Sequence, residues 1–437
     1  MESEINSLSY PALAEFKSTV IALDPSSSYA DMLIQFQLVE AALARAKLER
    51  AAAENRLIPI ASLPHEILSR IFEVHRDLHS DSDPWADRIA PSIRVSHVSA
   101  KWRDIALSTA SLWTAVASFP HFNNEFYHAM IHRSRESSLE LAIRAQDPQD
   151  VHSASLLAEF IPLQTRRLRV LRIMAPMDFI DDRMAALREL SAPRLTRLYL
   201  HNTTHGVDNG SLPPPQQIFT GGAQRLFRYD AIYFDFRIWP PLSSIKVLRI
   251  FFCDAAAHTA HLALREAALT VSRLCLSVIP RARPMFQAIR MPSLEYMEIA
   301  AQLPETAMLL EMTEAPSLKQ LRLCILKSNR LAPPLHVHVT AVEKYPGLQT
   351  LQLRGALGSG ILPIFPTIQS LLIADFPPRL TQLGDIFDSN QEAFSTLTPC
   401  LTCITAPERF RESIHAFGAA RRSLGLSVPR FIATSSI

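Results

Sequence analysis

Two cysteines near the C-terminus have the spacing of a metal-binding or redox pair. Cys400 and Cys403 form a C-x-x-C motif, but a zinc site needs further ligands, and no second pair or paired-histidine motif lies nearby. His75 and His79 are four residues apart on a predicted helix end, which could also hold a metal, although a solvated helix end is the simpler interpretation. We predict that the cysteines belong to a repeat core and that the chain has no metal site.

The motifs of the common enzyme classes do not occur in this chain. It contains no G-x-S-x-G, no G-x-G-x-x-G, no phosphate-binding loop and no H-E-x-x-H. Only 11 of the 437 residues are glycine, on which phosphate-cradling loops depend, while 31 are proline. Nothing in the sequence nominates a Ser–His–Asp set. We predict a protein that is not an enzyme and uses no cofactor.

Bulk composition limits the partners and the compartment. A chain of this length is expected to form two or three domains. The formal net charge of +2 gives no global field that would favour nucleic acid or membrane, so we expect neither as a partner. Five cysteines are too few and odd in number for a disulfide scaffold, and the N-terminus lacks the positive charge of a secretory signal. These features favour the cytosol or the nucleus.

The N-terminal segment, residues 1–57, contains a predicted helix. The run from Ala30 to Arg56 is rich in helix-forming residues and has no proline or glycine. Leu33, Phe36 and Leu43 fall on one face of this helix. That face could form a short coiled-coil seam between two chains, but packing against the rest of the same protein is the favoured interpretation.

Residues 58–118 read as a small helical unit. Ser62 is a predicted N-cap and Pro64 lies in the first turn of the helix that follows. Ile67 and Leu68, with Ile71 and Phe72 one turn later, form an apolar helical stripe. A polar insertion at 77–91 precedes a second helical pattern. A unit of about sixty residues has a marginal core, so some of its apolar surface is expected to be available to a partner.

This unit resembles the F-box of basidiomycete fungal F-box proteins. The resemblance lies in the stretches LIPIASLPHEILSRIF and IRVSHVSAKWRDIALSTASLWTAV. They match a Leu-Pro-x-Glu-Ile-Leu opening, a later Val-x-x-x-Trp-Arg-x-Ile-Ala and a closing Leu-Trp. The family implies binding to a Skp-type linker protein and, through it, to a cullin–RING ligase. Carried over by position, the linker-binding residues are Leu63, Pro64, Ile67, Leu68, Ile71, Phe72, Val98 and Trp102. The alternative is an ordinary helical subdomain that buries the same residues internally.

A repeated phrase dominates residues 119–437. Pro-x-Leu-x-x-Leu-x-Leu, with apolar substitutions, occurs at 193–200, 292–299, 316–323, 346–353 and 366–373. Looser copies lie at 168–173, 245–250 and 271–276, with a degraded one at 401–404, and spacings of roughly 19 to 33 residues are near those of leucine-rich repeats. We predict an α+β multidomain chain, in which an N-terminal helix and the F-box precede an α/β leucine-rich repeat solenoid with parallel strands. A helix over 408–423 would cap it. An unrelated α/β sheet is the alternative.

The residues that alternate with the repeat leucines should lie on the concave face. Across eight copies they include six arginines and one glutamate, a surplus of five positive charges on a nearly neutral protein. We predict that this face binds an acidic or phosphorylated segment of a target protein, because arginine forks suit carboxylates and phosphates. The alternative is that the arginines lie flat on neighbouring residues. The predicted contact residues are Arg172, Arg197, Tyr199, Arg249, Arg273, Tyr296, Arg322 and Arg354.

Taken together, these features favour a non-catalytic adaptor. The resemblance implies the substrate-recognition subunit of an SCF-type ubiquitin ligase, in which the F-box binds the linker and the repeats hold the target. The alternative is a repeat-based interaction scaffold that never joins a ligase.

Overall fold

A computed structural model describes most of the chain. The described residues are 11–21, 28–56, 58–78, 89–118, 124–147, 149–204, 216–232, 238–253, 257–279, 287–326, 341–355, 365–374 and 398–434. The chain divides into two compact units. The first comprises Met1–Thr114 with Ala129–Arg135, and the second comprises Ala115–His128 with Glu136–Ile437. The predicted N-terminal helix and most of the predicted F-box therefore fall in one unit, whereas residues 115–118, which were assigned to the F-box, belong to the second unit.

The helices and strands of the described residues are numbered here in chain order. The helices are α1 Pro11–Ile21, α2 Tyr29–Arg56, α3 His65–Leu78, α4 Ile89–Ser96, α5 Ala100–Ser108, α6 Asn124–Ser134, α7 Val151–Ser155, α8 Ile161–Gln164, α9 Met177–Met184, α10 Ala257–Ala267, α11 Leu303–Met312, α12 Ala341–Lys344 and α13 Arg411–Ser423. The strands are β1 Ala115–Ala117, β2 Leu139–Arg144, β3 Leu168–Ala175, β4 Arg197–Asn202, β5 Gln216–Gln217, β6 Arg228–Ile232, β7 Ile238–Trp239, β8 Val247–Cys253, β9 Arg273–Ile279, β10 Ile289–Arg290, β11 Tyr296–Ala301, β12 Thr313–Glu314, β13 Gln320–Ile325, β14 Thr350–Gly355, β15 Ser370–Ala374, β16 Cys403–Pro407 and β17 Arg430–Thr434. Within these elements no helix is both long enough and apolar enough to cross a membrane.

The first unit begins with the helices α1 and α2. The span predicted for α2 is confirmed, but the side of α2 that packs is not the predicted one. Ala42 and Ala46 are buried on it, whereas Leu33, Phe36 and Leu43 are exposed. The expectation that these three residues pack against the same protein is therefore wrong. Small residues allow the close helix contact, and the large apolar side chains remain outside it.

Three further helices, α3 to α5, form a small bundle with its own core. Leu68 and Phe72 of α3 are buried with Ile105 of α5 and with Trp113. The indole Nε1 of Trp113 donates to the carbonyl of Ala106 at 2.7 Å, so the buried ring leaves no unpaired donor. The core of the bundle is thus filled by its own side chains, and the buried indole finds its hydrogen-bond acceptor within the bundle.

The start of α3 differs from the prediction. Ser62 closes a 3₁₀ turn over Pro59–Ser62 and its hydroxyl donates back to the Pro59 carbonyl at 2.7 Å, so Ser62 does not cap α3. The carbonyl of Pro64 instead accepts the first helical bond, from the amide of Leu68 at 3.1 Å. Proline has a fixed φ close to the helical value and suits this entry position.

The second unit contains a parallel sheet of thirteen strands among the described residues. Its order is β1-β2-β3-β4-β6-β8-β9-β11-β13-β14-β15-β16-β17, which follows the chain, and two small parallel pairs, β5–β7 and β10–β12, accompany it. Neighbouring strands in the sheet are also successive strands of it along the chain, which is an α/β solenoid-like arrangement. The prediction of parallel strands is confirmed. Alternate strand residues, such as Leu198 and Leu200, are fully buried.

The prolines of the repeated phrase occupy a tight turn before each strand. In the copy at 193–200 the amide of Leu195 donates to the carbonyl of Ala192 at 3.1 Å across Pro193, and both flanking residues are buried. The same turn precedes β11, β13, β14, β15 and β16. Proline fixes φ at the second position of such a turn, which explains why the proline recurs four residues before the start of each of these strands.

The sequence prediction missed β1, β2 and β6. The residues Leu226, Tyr229 and Ala231, all buried, fill the positions of the three leucines in L-x-x-L-x-L for β6. Tyrosine and alanine at leucine positions hid this copy. The hydroxyl of Tyr229 donates to the Ile238 carbonyl at 3.2 Å, so the larger polar residue fits within the core.

The C-terminal prediction requires a correction. The degraded copy at 401–404 corresponds to β16, and α13 begins close to the predicted helix start, but α13 is not a terminal cap because β17 follows it and pairs with β16. The helix ends at Ser423, and Gly425, which has a φ of 70°, follows two residues later. The amide of Leu426 donates to the Arg421 carbonyl at 2.9 Å, and that of Gly425 to Arg422 at 3.1 Å. This Schellman arrangement turns the chain back toward the sheet.

Candidate functional site

The apolar residues predicted on α3 lie on two different sides of that helix. Leu68 and Phe72 are 0% and 1% exposed, so they belong to the core of the bundle and cannot contact a partner directly; this corrects their predicted role. Ile67 and Ile71 are 48% and 40% exposed. Residues one position apart on a helix are about 100° apart around its axis, so neighbours in sequence separate in this way.

The exposed side of α3 extends beyond the predicted residues. Val74 and Leu78 continue it at helical spacing and are also exposed. We call Ile67, Ile71, Val74 and Leu78 the α3 stripe. The sequence reasoning missed the last two, although the spacing i, i+4, i+7, i+11 from Ile67 identifies them.

The other predicted linker-binding residues differ in how exposed they are. Pro64 and Val98 are exposed, whereas Leu63 and Trp102 are half-buried. The Trp102 ring lies 4.8 Å from the ring of Phe72, with the planes tilted by 49°. Ser99 caps α5 by accepting from the amide of Trp102 at 3.2 Å, which fixes the start of the helix that carries the indole.

Polar contacts hold α3 in place at both ends. Lys101 Nζ of α5 donates to the carbonyls of Ala61 at 2.5 Å and Leu63 at 3.2 Å. Near the other end, Ser111 donates to the carboxylate of Glu73 at 2.5 Å, and this bond lowers the pKa of Glu73. Neither contact was apparent from the sequence. Together they fasten the two ends of the helix that carries the α3 stripe.

A second candidate surface lies on the sheet of the second unit. We call the sheet side formed by the residues that alternate with the buried leucines the open face. The register places its central row in the order Arg172, Tyr199, Asp230, Arg249, Cys275, Glu298, Arg322 and Gln352. The predicted arginines do share one face, and two carboxylates lie among them in the same row.

Asp230 is the strongest neutralising group in this row. It is 1% exposed, and its carboxylate accepts from Arg228 at 2.6 and 3.2 Å and lies 3.7 Å from Arg249. Both Arg228 and Asp230 were missed because β6 was not recognised. Arg249, a predicted contact residue, is therefore partly neutralised within the chain.

Glu298 plays a similar part three strands further along. Its carboxylate accepts from the Tyr296 hydroxyl at 2.9 Å and lies 3.7 Å from Arg322. Burial together with this hydrogen bond raises the pKa of Tyr296 to about 12. Tyr296 and Arg322, both predicted contact residues, are thus held by a carboxylate of the same face.

Several arginines lie over aromatic rings, as the alternative interpretation expected. Arg172 is only 5% exposed; it lies 5.2 Å from the ring centre of Tyr199 and 3.7 Å from Glu140. Arg273 lies 5.1 Å from the ring centre of Tyr296 but remains exposed. Arg172 is therefore part of the sheet, and its predicted role in direct contact is corrected.

The predicted arginines differ in how accessible they are. Arg197 and Arg273 are exposed, while Arg249, Arg322 and Arg354 are half-buried. Arg197 and Arg273 belong to one outer row, with Arg228 and Val247 between them on the intervening strands. Adjacent strands lie about 4.8 Å apart, so the backbones of these two arginines are roughly 15 Å apart.

Four cysteines have side chains in the described part of the chain. Cys400 is exposed in the turn before β16, and Cys403 is half-buried on the open face, so the expectation that both lie in the repeat core is wrong. Burial raises the pKa of the Cys275 and Cys324 thiols, which favours their unreactive protonated form. Among the described residues no cluster of three metal-ligating side chains occurs; His79 lies outside them.

Comparison with known proteins identified no relative of this chain. No protein-family model matches the chain, and a search of curated proteins gives no match. The two surfaces described above, the α3 stripe and the open face, are therefore the observations from which a function is inferred.

Proposed function

We propose that this protein is a substrate-recruiting adaptor of an SCF-type ubiquitin ligase. In this proposal the α3 stripe of an F-box-like bundle binds a Skp-type linker, and the open face of a leucine-rich repeat domain holds the target. The observation that carries the proposal is the exposure of the α3 stripe on a bundle that already has a complete core. The adaptor would work in the cytosol or nucleus and take part in no bond chemistry itself.

The energetics of the α3 stripe favour a protein partner. Four large apolar side chains on one side of a helix form a contiguous patch, a pattern that soluble proteins use for docking. Covering each side chain contributes roughly 1 kcal/mol, because about half of the 1.5–3 kcal/mol for full burial remains to be gained. Lys101 and Ser111 make hydrogen bonds at the two ends of α3, which supports a helix that is already formed before binding.

Recruitment explains how such a protein acts without a catalytic site. A chain that binds the ligase through one unit and the target through another converts ubiquitin transfer into an effectively intramolecular step. The two surfaces lie in different compact units, so each can be altered without the other.

The linker half of the proposal is tested by direct binding. The purified full-length chain is titrated with a purified Skp-type linker protein in a calorimeter. A 1:1 complex with a dissociation constant in the micromolar range or tighter is expected. If both proteins are folded and no complex forms, the ligase assignment is overturned. The alternative, a repeat-based interaction scaffold, is then favoured.

The second part of the proposal, binding of the target protein, depends on the outer row of the open face. Arg197 and Arg273 are exposed and roughly 15 Å apart, a distance that an extended peptide covers in four to five residues at about 3.3 Å each. A target segment with two acidic or phosphorylated side chains at that spacing would reach both guanidinium groups. Arginine forks bind such groups with two parallel hydrogen bonds.

Reversing both charges should therefore weaken capture. For Arg197→Glu with Arg273→Glu we expect at least tenfold weaker binding of a labelled extended peptide that carries two phosphoserines five residues apart, measured by fluorescence anisotropy. The matched control is Arg194→Glu with Arg225→Glu, which changes the net charge equally at exposed turn residues outside the open face. Equal losses in both variants would mean that only overall charge matters.

A further inference from the structure

The α2 helix exposes a second apolar surface that the proposed adaptor role does not use. Tyr29, Met32, Leu33, Phe36 and Leu43 lie on one side of α2 and are between 36% and 80% exposed. We call them the α2 stripe. On another side of α2, Ala42 and Ala46 are buried, and Glu15 of α1 pairs with Arg45 at 3.2 Å. The helix is thus anchored in its own unit while this stripe is left open.

The exposed area of the stripe is more than half of what one partner usually contributes to a stable interface. Whole aromatic side chains cover about 150–250 Å², so the exposed parts of the α2 stripe amount to on the order of 500 Å². This matches the largest patch found on a typical monomer, and about 800 Å² per partner is usual for a stable complex. The C-terminal half of α2 would supply the area that is missing from the usual 800 Å², provided that the same partner covers it.

The two halves of α2 complement each other in size and charge. The stripe continues from Phe36 and Leu43 through the exposed residues Glu40, Lys47 and Ala51, which lie on the same side at helical spacing. The N-terminal half carries the large apolar residues, and the C-terminal half carries alanine and charge. Such a surface is self-complementary when two copies run in opposite directions.

We propose that the α2 stripe is covered by the α2 helix of a second copy of this chain, in an antiparallel two-fold pair. With the two-fold axis between positions 43 and 44, Phe36 faces Ala51 of the second copy, and Glu40 faces Lys47. Each pair occurs twice, as a two-fold interface requires. The dimer presents two copies of each unit, so its partners would be engaged with avidity.

The oligomeric state of the full-length chain tests this proposal. Sedimentation equilibrium should show a monomer–dimer equilibrium with a dissociation constant in the micromolar range or tighter. Leu33→Glu with Phe36→Glu should weaken it at least fiftyfold with unchanged helix content by circular dichroism. The control, Leu38→Glu with Leu48→Glu, makes the same number of changes at exposed leucines on other sides of α2 and should leave the dimer intact.

Charge reversals test the antiparallel direction. Glu40→Lys alone should weaken the dimer several-fold by placing two lysines together, and Glu40→Lys with Lys47→Glu should restore it. In a parallel pair, position 40 would face position 40 of the second chain, and position 47 would face position 47. The double variant would then not restore dimer affinity. A wild-type chain that stays monomeric at high micromolar concentration, or a dimer insensitive to the stripe variant, would overturn the proposal and leave a different protein as the occupant.

Discussion

Aspartate at both Ile67 and Ile71 is expected to weaken binding of a Skp-type linker at least a hundredfold, a loss of about 3 kcal/mol. Both side chains are about half exposed, so the helical bundle tolerates the change. An apolar partner, in contrast, would have to bury two carboxylates without compensating hydrogen bonds, which is costly. The full-length variant is measured by calorimetry against the same linker as the wild type.

The control for this prediction is an exposed leucine that lies outside the α3 stripe. Leu269→Asp makes the same kind of change at an exposed leucine of the second unit and should leave linker binding unchanged. Leu68→Asp is unsuitable, because Leu68 is fully buried and its replacement would unfold the bundle. If the Ile67 and Ile71 variant keeps its circular dichroism and binds as tightly as wild type, the α3 stripe is not the docking surface.

Replacing Arg421 with methionine is expected to destabilise the C-terminal part of the sheet by about 3–5 kcal/mol, since one buried and two partly buried carbonyls would each lose a charged donor. The Arg421 side chain is fully buried and donates to the carbonyls of Ser427 at 2.6 Å, Thr398 at 2.8 Å and Pro399 at 3.1 Å. These carbonyls belong to the turn before β16 and to the connection leading into β17. One guanidinium thus joins the last two strands.

The effect of Arg421→Met is best measured by hydrogen exchange, because it should appear first as faster exchange of the β16 and β17 amides. The neighbouring Arg422 is exposed, so Arg422→Met supplies a matched control with the same change of charge and shape. Identical exchange in the two variants would show that the carbonyl contacts contribute little, and that packing alone holds the end of the sheet.

Much of the sheet could be predicted because its signal is local. In the phrase Pro-x-Leu-x-x-Leu-x-Leu, the proline fixes a turn, and the last two leucines point to one side of a strand, so a few consecutive residues determine the turn and the strand. The copies that were missed or misjudged depart from this code. Tyr229 and Ala231 replace leucines in β6, and β17 has leucine four residues before its start, where the full copies of the phrase have proline.

The surfaces were harder to predict, because exposure depends on what packs against each side of an element. Sequence periodicity grouped Ile67 with Leu68 and placed Leu33 and Phe36 of α2 against the protein, but α5 covers only one side of α3, and α1 does not cover the α2 stripe. Likewise, the excess of arginine on the open face was counted without Asp230 and Glu140, which lie on strands that were not recognised.

The sequence by itself determined the repeats, the parallel strands and the position of the helical unit, since backbone geometry and the alternation of apolar residues are written in short stretches of chain. The tertiary structure alone decided which apolar residues remain exposed and which arginines are already neutralised. Burial and ion pairing join residues far apart in the chain, such as Arg249 with Asp230 and Lys101 with Ala61, and no local pattern encodes those distances.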